Sequence, residues 1–382
     1  MSFPGSTVIP GLIGMHDHLF YETDTSLLEQ PYSFPRLYLA SGVTTIRTAG
    51  AVSPWADLLL AKLAGTAESA SPRILFSGPY VDGGIYRFSS DSKAAAATRD
   101  EVGRWIARGA TNVKVYDHAS RAQLSEAIAV AHDHGVKVTG HLCSITFQEA
   151  AALGIDNLEH GLLVATDLYP GKKLDVCPNN TDSIYYSDVD GAEVQSIISA
   201  MLKHHVALTS TLAVFETFAP GHSEQRMIDL LPPKLQQQYL RNRAKYNGPD
   251  HAWWARMLQK EMRFEKEFAD RGGLLMNGAD PTGYGGVLAG FADQRGVELL
   301  VQAGFAPAQA IQIATANAAK FLGMENEIGT LLPGRRADMV LVSGDPAERI
   351  ENIENVEIVF RDGVGYSAKK LLQSVKGKFL IH

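Results

Sequence analysis

The chain has 382 residues, of which 45% are hydrophobic and 20% charged, and its formal net charge is -7. That length suits one large domain with an appended module, or two ordinary domains. The acidic balance and the lack of a basic run exclude a general nucleic-acid binder and a protein drawn to membranes by charge. No apolar stretch is long enough to span a bilayer.

Two cysteines, Cys143 and Cys177, are too few for a disulfide framework and fit a chain that folds without bridges. The opening residues show neither a charged leader nor an apolar signal core. The expected compartment is therefore the cytoplasm for the chain as it stands, and secreted or periplasmic if a segment once preceded it.

In chain order, short apolar runs predict strands at residues 8–15, 43–48, 73–77, 112–116, 137–140, 157–159, 206–210 and 273–277. Helical patterns lie between most of them, at 54–64, 99–108, 122–134, 147–152 and 192–203, with another at 307–322. Eight strands with intervening helices predict an α/β protein, a (β/α)8 TIM-like barrel over residues 1–328. Two insertions, 162–190 and 220–270, follow strand ends and are candidate lids or specificity regions, or surface decoration. Residues 329–382 read as a small β-module, with strands at 337–343 and 356–360 and a turn at Asp362-Gly363.

His16-Asp17-His18 is the sharpest local signal. Residues i and i+2 of a strand share a face, so both imidazoles at the end of the first strand converge on one point, as a metal site requires. Two histidines at that spacing are also common on solvated surfaces. His141 and His160 end the fifth and sixth strands, and Asp280 follows the eighth. Each alone reads equally as a core residue or a turn, but together they set metal-ligand chemistry at one rim. Lys114 falls where the fourth strand is most buried, which disfavours its charged form. A neutral buried amine beside two cations can add CO₂ and become a carbamate; the plainer reading is a lysine that reaches the rim and pairs with a carboxylate.

This set resembles the amidohydrolase superfamily in its binuclear form, closest to the imidazolonepropionase-like and prolidase-like branch. The resemblance rests on His16-Asp17-His18, Lys114, His141, His160 and Asp280. It extends to Ala314-Thr-Ala-Asn-Ala-Ala-Lys-Phe-Leu-Gly, Gly329-Thr-Leu-Leu-Pro-Gly and Ala337-Asp338. It implies two divalent cations, zinc being favoured, one on His16, His18 and Asp280 and one on His141 and His160, with carboxylated Lys114 bridging them. It implies Asp280 as the catalytic proton carrier and hydrolysis of an amide-like C–N bond in an N-acyl amino acid, a dipeptide or a related small amide. A lactonase or esterase on the same centre is the alternative. A mononuclear deaminase is disfavoured, because Leu142-Cys143-Ser144 supplies no glutamate after His141.

Tyr116 and His118, just past Lys114, are the candidate substrate-binding residues, with Arg47 and Glu216 weaker. Trp253 and Trp254 read as helix packing before substrate contact. Relatives carry strands before the first barrel strand, and they often have Asp where this chain has Thr48. The first departure predicts an incomplete C-terminal module with exposed strand edges, and hence leaves homo-oligomers open. The expected partner is a small-molecule substrate, with neither nucleic acid nor membrane.

Overall fold

The computed structural model describes residues 3–66, 69–82, 92–178, 183–221, 225–248, 251–283 and 286–379; parts of the two expected insertions, 179–182, 222–224 and 249–250, lie outside them. The strands in chain order are β1 (Ser6–Pro10), β2 (Leu12–Asp17), β3 (Phe20–Glu22), β4 (Leu27–Glu29), β5 (Val43–Thr48), β6 (Arg73–Leu75) and β7 (Asn112–Val115). Then come β8 (Lys137–Gly140), β9 (Asn157–Glu159), β10 (Ala207–Ser210), β11 (Leu275–Asn277), β12 (Met339–Ser343), β13 (Val356–Arg361) and β14 (Val364–Ser367).

β2, β5 and β6 form one parallel arc, and β7 to β11 form a second in sequence order. These are the eight expected strands, several of them trimmed by a residue or two. Isolated parallel bridges, Ser77 to Asn112 and Val81 to Val115, join the arcs on one side. On the other, the amides of Ala279 and Asp280 donate to the His16 carbonyl at 3.1 and 2.8 Å. The ladders themselves remain two sheets, so the architecture is α/β with two abutting parallel arcs.

Helices follow the strands for reasons visible in the sequence. Ser120 with Gln123 and Thr146 with Glu149 make reciprocal capping boxes that start the helices Arg121–Asp133 and Phe147–Leu153. Each cap stabilises its helix by about 1 kcal/mol. The last part of the 220–270 segment is not decoration. It forms the helix Ala252–Asp270, whose Phe264 and Phe268 are fully buried. Burial of one such ring contributes about 1.5–3 kcal/mol, which seats this helix in the frame between β10 and β11.

Two expectations are corrected. The run at 8–15 is not one strand: it breaks at Gly11, where a Cβ would come within 2.1 Å of the Thr44 hydroxyl. Its first half, β1, leaves the arc and pairs antiparallel with β12, so the C-terminal sheet runs β1-β12-β13-β14. β12 therefore gains a partner from the chain's own first strand, and β1 and β14 are the edges of this sheet among the described residues. Asp362 and Gly363 do form the β13–β14 turn, with φ of 49° and 81°. Arg73 at the start of β6 pairs with Asp338 and Asp362, both at 2.9 Å, and ties this sheet to the first arc.

The second correction concerns cysteine. Cys143 and Cys177 are joined in a disulfide across 34 positions of sequence, their Cα atoms 4.8 Å apart. The bridge anchors the segment after β9 two residues beyond His141; sequence counting cannot detect such a single staple.

Candidate metal centre

The C-terminal ends of the parallel strands bring the predicted ligands together. His16 and His18 come from the end of β2, Lys114 from β7, His141 from just past β8, His160 from just past β9, and Asp280 from beyond β11. All six line one cavity of about 340 Å³. The His16 and His160 ring centroids are 4.5 Å apart, those of His141 and His160 4.5 Å, and those of His16 and His18 5.3 Å. Asp280 Oδ1 lies 3.2 Å from His18 Nε2 and 3.5 Å from His16 Nε2. Potential ligand atoms of His16, His160 and Asp280 all fall within 4.8 Å of one another.

Local backbone shape aims these groups. His160 and Asp280 both adopt left-handed conformations, with φ of 68° and 51°. Non-glycine residues pay for that shape only where the surroundings enforce it, and such residues gather at functional sites. Gly278, just before Asp280, permits the close approach of this segment to β2. An added Cβ there would lie 2.7 Å from the His16 backbone nitrogen.

Three of the four rings are held by their Nδ1 atoms. His16 Nδ1 meets Glu159 Oε2 at 2.8 Å, His160 Nδ1 meets Thr211 Oγ1 at 2.8 Å, and His18 Nδ1 meets the Gly50 carbonyl at 3.2 Å. With Nδ1 occupied, each ring has Nε2 left to bind a metal, the usual arrangement of ligating histidines. His160 Nε2 and Lys114 Nζ are buried and have no hydrogen-bond partner among the described residues.

Electrostatics favour the metal-binding forms. Burial, helped by the Lys114 charge, pushes the His141 imidazole down to about 3. Burial likewise lowers His18 and, with His141 and His16 beside it, His160. Burial lowers the Lys114 amine to about 8, although Glu159 opposes the shift. For Asp280 burial acts upward, but the His16 charge and hydrogen bonds from His16 and His18 outweigh it, and its carboxyl sits well below the usual range. His18, His141 and His160 are thus held towards the neutral imidazole and Asp280 towards the ionised carboxylate, the forms that bind cations.

One layer deeper lies a cluster the sequence reading missed. Glu159 accepts from Arg47 Nη2 at 2.6 Å and Asn157 Nδ2 at 2.9 Å, and also from the Thr139 hydroxyl. Arg47 Nε donates to the Met15 carbonyl at 2.7 Å, and Asn157 Nδ2 reaches Thr209 Oγ1 at 3.0 Å. The signal was present in Asn157 and Glu159, two polar residues two apart on a three-residue strand, which must share the inner face.

Of the candidate substrate residues, Tyr116 lines the cavity, its ring 4.8 Å from that of His141. His118 is not among the described lining residues; its ring is half exposed and bonded to Asp117 at 2.6 Å. Arg47 sits in the deeper cluster, and Glu216 pairs with Arg295 at 2.6 Å away from the ligands. Trp254 lines the cavity and stacks on Trp253, with centroids 4.5 Å apart.

The profile of the amidohydrolase family matches residues 7–365, a span that includes all six candidate ligands. The chain belongs to the amidohydrolase family. Among solved structures of similar fold, bottromycin amidohydrolase has a TM-score of 0.71 at 19% identity, covering 98% of this chain and 81% of that one. A Xaa-Pro dipeptidase with methionine bound in its active site gives 0.68 at 19%, covering 95% and 87%. Curated sequences match only locally. An adenine deaminase of Paracoccus denitrificans (strain Pd 1222) is 46% identical over 59 residues, 15% of this chain and 10% of that protein. The matched segment thus spans about a tenth of that relative's length.

Proposed function

We propose that this amidohydrolase-family chain is a binuclear metal-dependent hydrolase that cleaves an amide-like C–N bond in a small N-acyl compound or dipeptide. The observation that carries it is the convergence of four imidazoles, a lysine and a carboxylate on one cavity, with His160 Nε2 and Lys114 Nζ buried and without a partner among the described residues. Unpaired polar atoms facing a shared space suit cations better than a closed hydrogen-bond network. His16, His18 and Asp280 would hold one cation and His141 and His160 the other, zinc being favoured by the nitrogen-rich set. Lys114, carboxylated at Nζ by CO₂ with release of a proton, would bridge the two. The reading takes the two strand arcs as one (β/α)8 barrel, supported by the bridges at Ser77 and Val81 and the amides of Ala279 and Asp280.

Divalent cations held there would supply Lewis acidity, polarising the carbonyl and lowering the pKa of water. The chain's own groups do the rest. Asp280 takes the proton of the attacking water on a carboxylate oxygen and returns it to the leaving nitrogen. Glu159 and Thr211 hold His16 and His160 in the orientation that keeps Nε2 towards the cavity. The Tyr116 side chain lines the same cavity, and its hydroxyl would donate to the substrate carbonyl oxygen or a substrate carboxylate.

The local matches to adenine deaminases support a second reading, release of ammonia from an amino-substituted ring. A panel of dipeptides, N-acyl amino acids, esters, lactones and adenine, assayed with zinc and with chelator, separates these. Chelator-sensitive amide cleavage is expected. Ammonia from adenine without amide cleavage would replace the first reading with the second, and turnover confined to esters or lactones would reassign the bond.

A further inference from the structure

The cavity's walls are more specific than its metal ligands. Aromatic side chains surround the candidate ligands: Phe20 has its ring 4.8 Å from that of His18, and Tyr116 lies 4.8 Å from His141. Tyr80 meets Tyr116 edge to face at 5.0 Å, and Phe215 lies 5.9 Å from His160. Further out, Phe218 and Trp254 pair at 5.1 Å, and all six rings line the same cavity. Phe20, Tyr80, Phe215 and Phe218 are each at most 6% exposed, so their positions are set by packing rather than by solvent.

Phe218 and Trp254 are held from outside the cavity. Tyr246 abuts Phe218 at 5.2 Å, and Trp253 stacks behind Trp254 at 4.5 Å. Rings fixed in this way offer faces and edges for offset or edge-to-face packing, which favours an aromatic guest beyond the area it buries. The volume, about 340 Å³, is near the lower end for small-molecule sites, which run from about 300 to 1,000 Å³. It suits one ring with its attached amide, and is short for a peptide chain.

We propose that the cavity selects compounds carrying an aryl group beside the scissile bond, with the paired rings of Phe218 and Trp254 forming one wall of the slot in which that group packs. This rests on the hydrolase reading above and names its substrate class. A phenyl and an indole ring are neither metal ligands nor general bases, so the role of Phe218 and Trp254 is discrimination rather than bond cleavage.

The test uses hydroxamates, which bind a metal centre without being cleaved. Phenylacetohydroxamic acid and acetohydroxamic acid are titrated calorimetrically into zinc-loaded protein, wild type and the variants Phe218→Ala, Phe218→Leu and Trp254→Ala. The aryl compound should bind about tenfold to a hundredfold tighter to the wild type, the range expected for burying one ring. That ratio should shrink at least about fivefold in Phe218→Ala and in Trp254→Ala, with Phe218→Leu between; metal content and melting temperature confirm that each variant is folded. An aryl preference below about threefold, or one untouched by every substitution, overturns the slot, as does failure of both compounds to bind. Zinc content and amide turnover, measured on the same wild-type protein, report separately on the hydrolase reading: a metal-loaded, active enzyme without aryl preference refutes the slot alone.

Discussion

Two polar clusters lie in successive layers along the parallel strands, and they are built on opposite rules. In the deeper one, Arg47, Glu159, Asn157, Thr139 and Thr209 turn their polar atoms on one another. In the outer one, His160 Nε2 and Lys114 Nζ have no partner among the described residues although both residues are buried. Leaving a buried polar atom unpaired costs about 1–3 kcal/mol. A fold that carries two of them side by side, while satisfying the layer beneath, keeps the outer layer for something other than stability. The difference teaches how to tell a structural polar core from a binding one: the first closes on itself, and the second leaves lone pairs aimed at shared space.

The contrast can be broken by substitution. The largest expected effect is on turnover. Asp280→Asn removes the proton carrier and should lower kcat for amide hydrolysis by about 10²–10⁴-fold, with circular dichroism unchanged. Turnover within threefold of wild type would remove Asp280 from that role. Next comes stability, from the deeper layer. Glu159→Gln leaves the Arg47 charge buried without its partner and should cost about 3–5 kcal/mol in denaturant unfolding of the apoprotein. A loss below about 1 kcal/mol would mean that the layer does not depend on this ion pair.

Thr211→Val sharpens the boundary between the layers. It removes the hydroxyl at His160 Nδ1 and should weaken metal affinity by about 10–100-fold in a chelator competition, while unfolding of the apoprotein changes little. Equal loss in both measurements would make Thr211 structural. The smallest effect tests a third buried pair, Glu261 and Glu265 on the helix Ala252–Asp270. Burial raises the Glu265 carboxyl to about 8. The folded chain then holds a proton that the unfolded chain, near the ordinary value of 4.5, gives up. Stability should therefore fall as pH rises from about 4.5 towards 8. Glu265→Gln should flatten that slope in melting temperatures taken from pH 5 to 8, and an unchanged slope would assign it to other groups.

The candidate ligand set was legible because the four histidines and Asp280 are polar residues at or just past the ends of apolar strands, and Lys114 is a charged residue inside one, all of which strand geometry sends to one rim. Glu159 was not, since it stands beside His160 and reads as part of the same strand end until its four partners are seen. Gly11 hid a strand break inside a continuous apolar run, because only the nearness of Thr44 reveals why the chain must bend there. The Cys143–Cys177 bridge and the aromatic walls depend on where long connecting segments fold back, and spacing in the sequence carries no record of that. Trp254 shows the limit: its sequence context favours helix packing over substrate contact, and only the fold shows it both stacked on Trp253 and lining the cavity.

The most direct test of the central claim is metal content per chain, measured by mass spectrometry on protein purified without chelator and then equilibrated with zinc. The account predicts about two divalent cations per wild-type chain, fewer in His160→Ala and in Lys114→Ala, and partial recovery of activity in Lys114→Ala with short carboxylic acids. A wild-type chain that binds no metal, or variants that retain the same content, would contradict it.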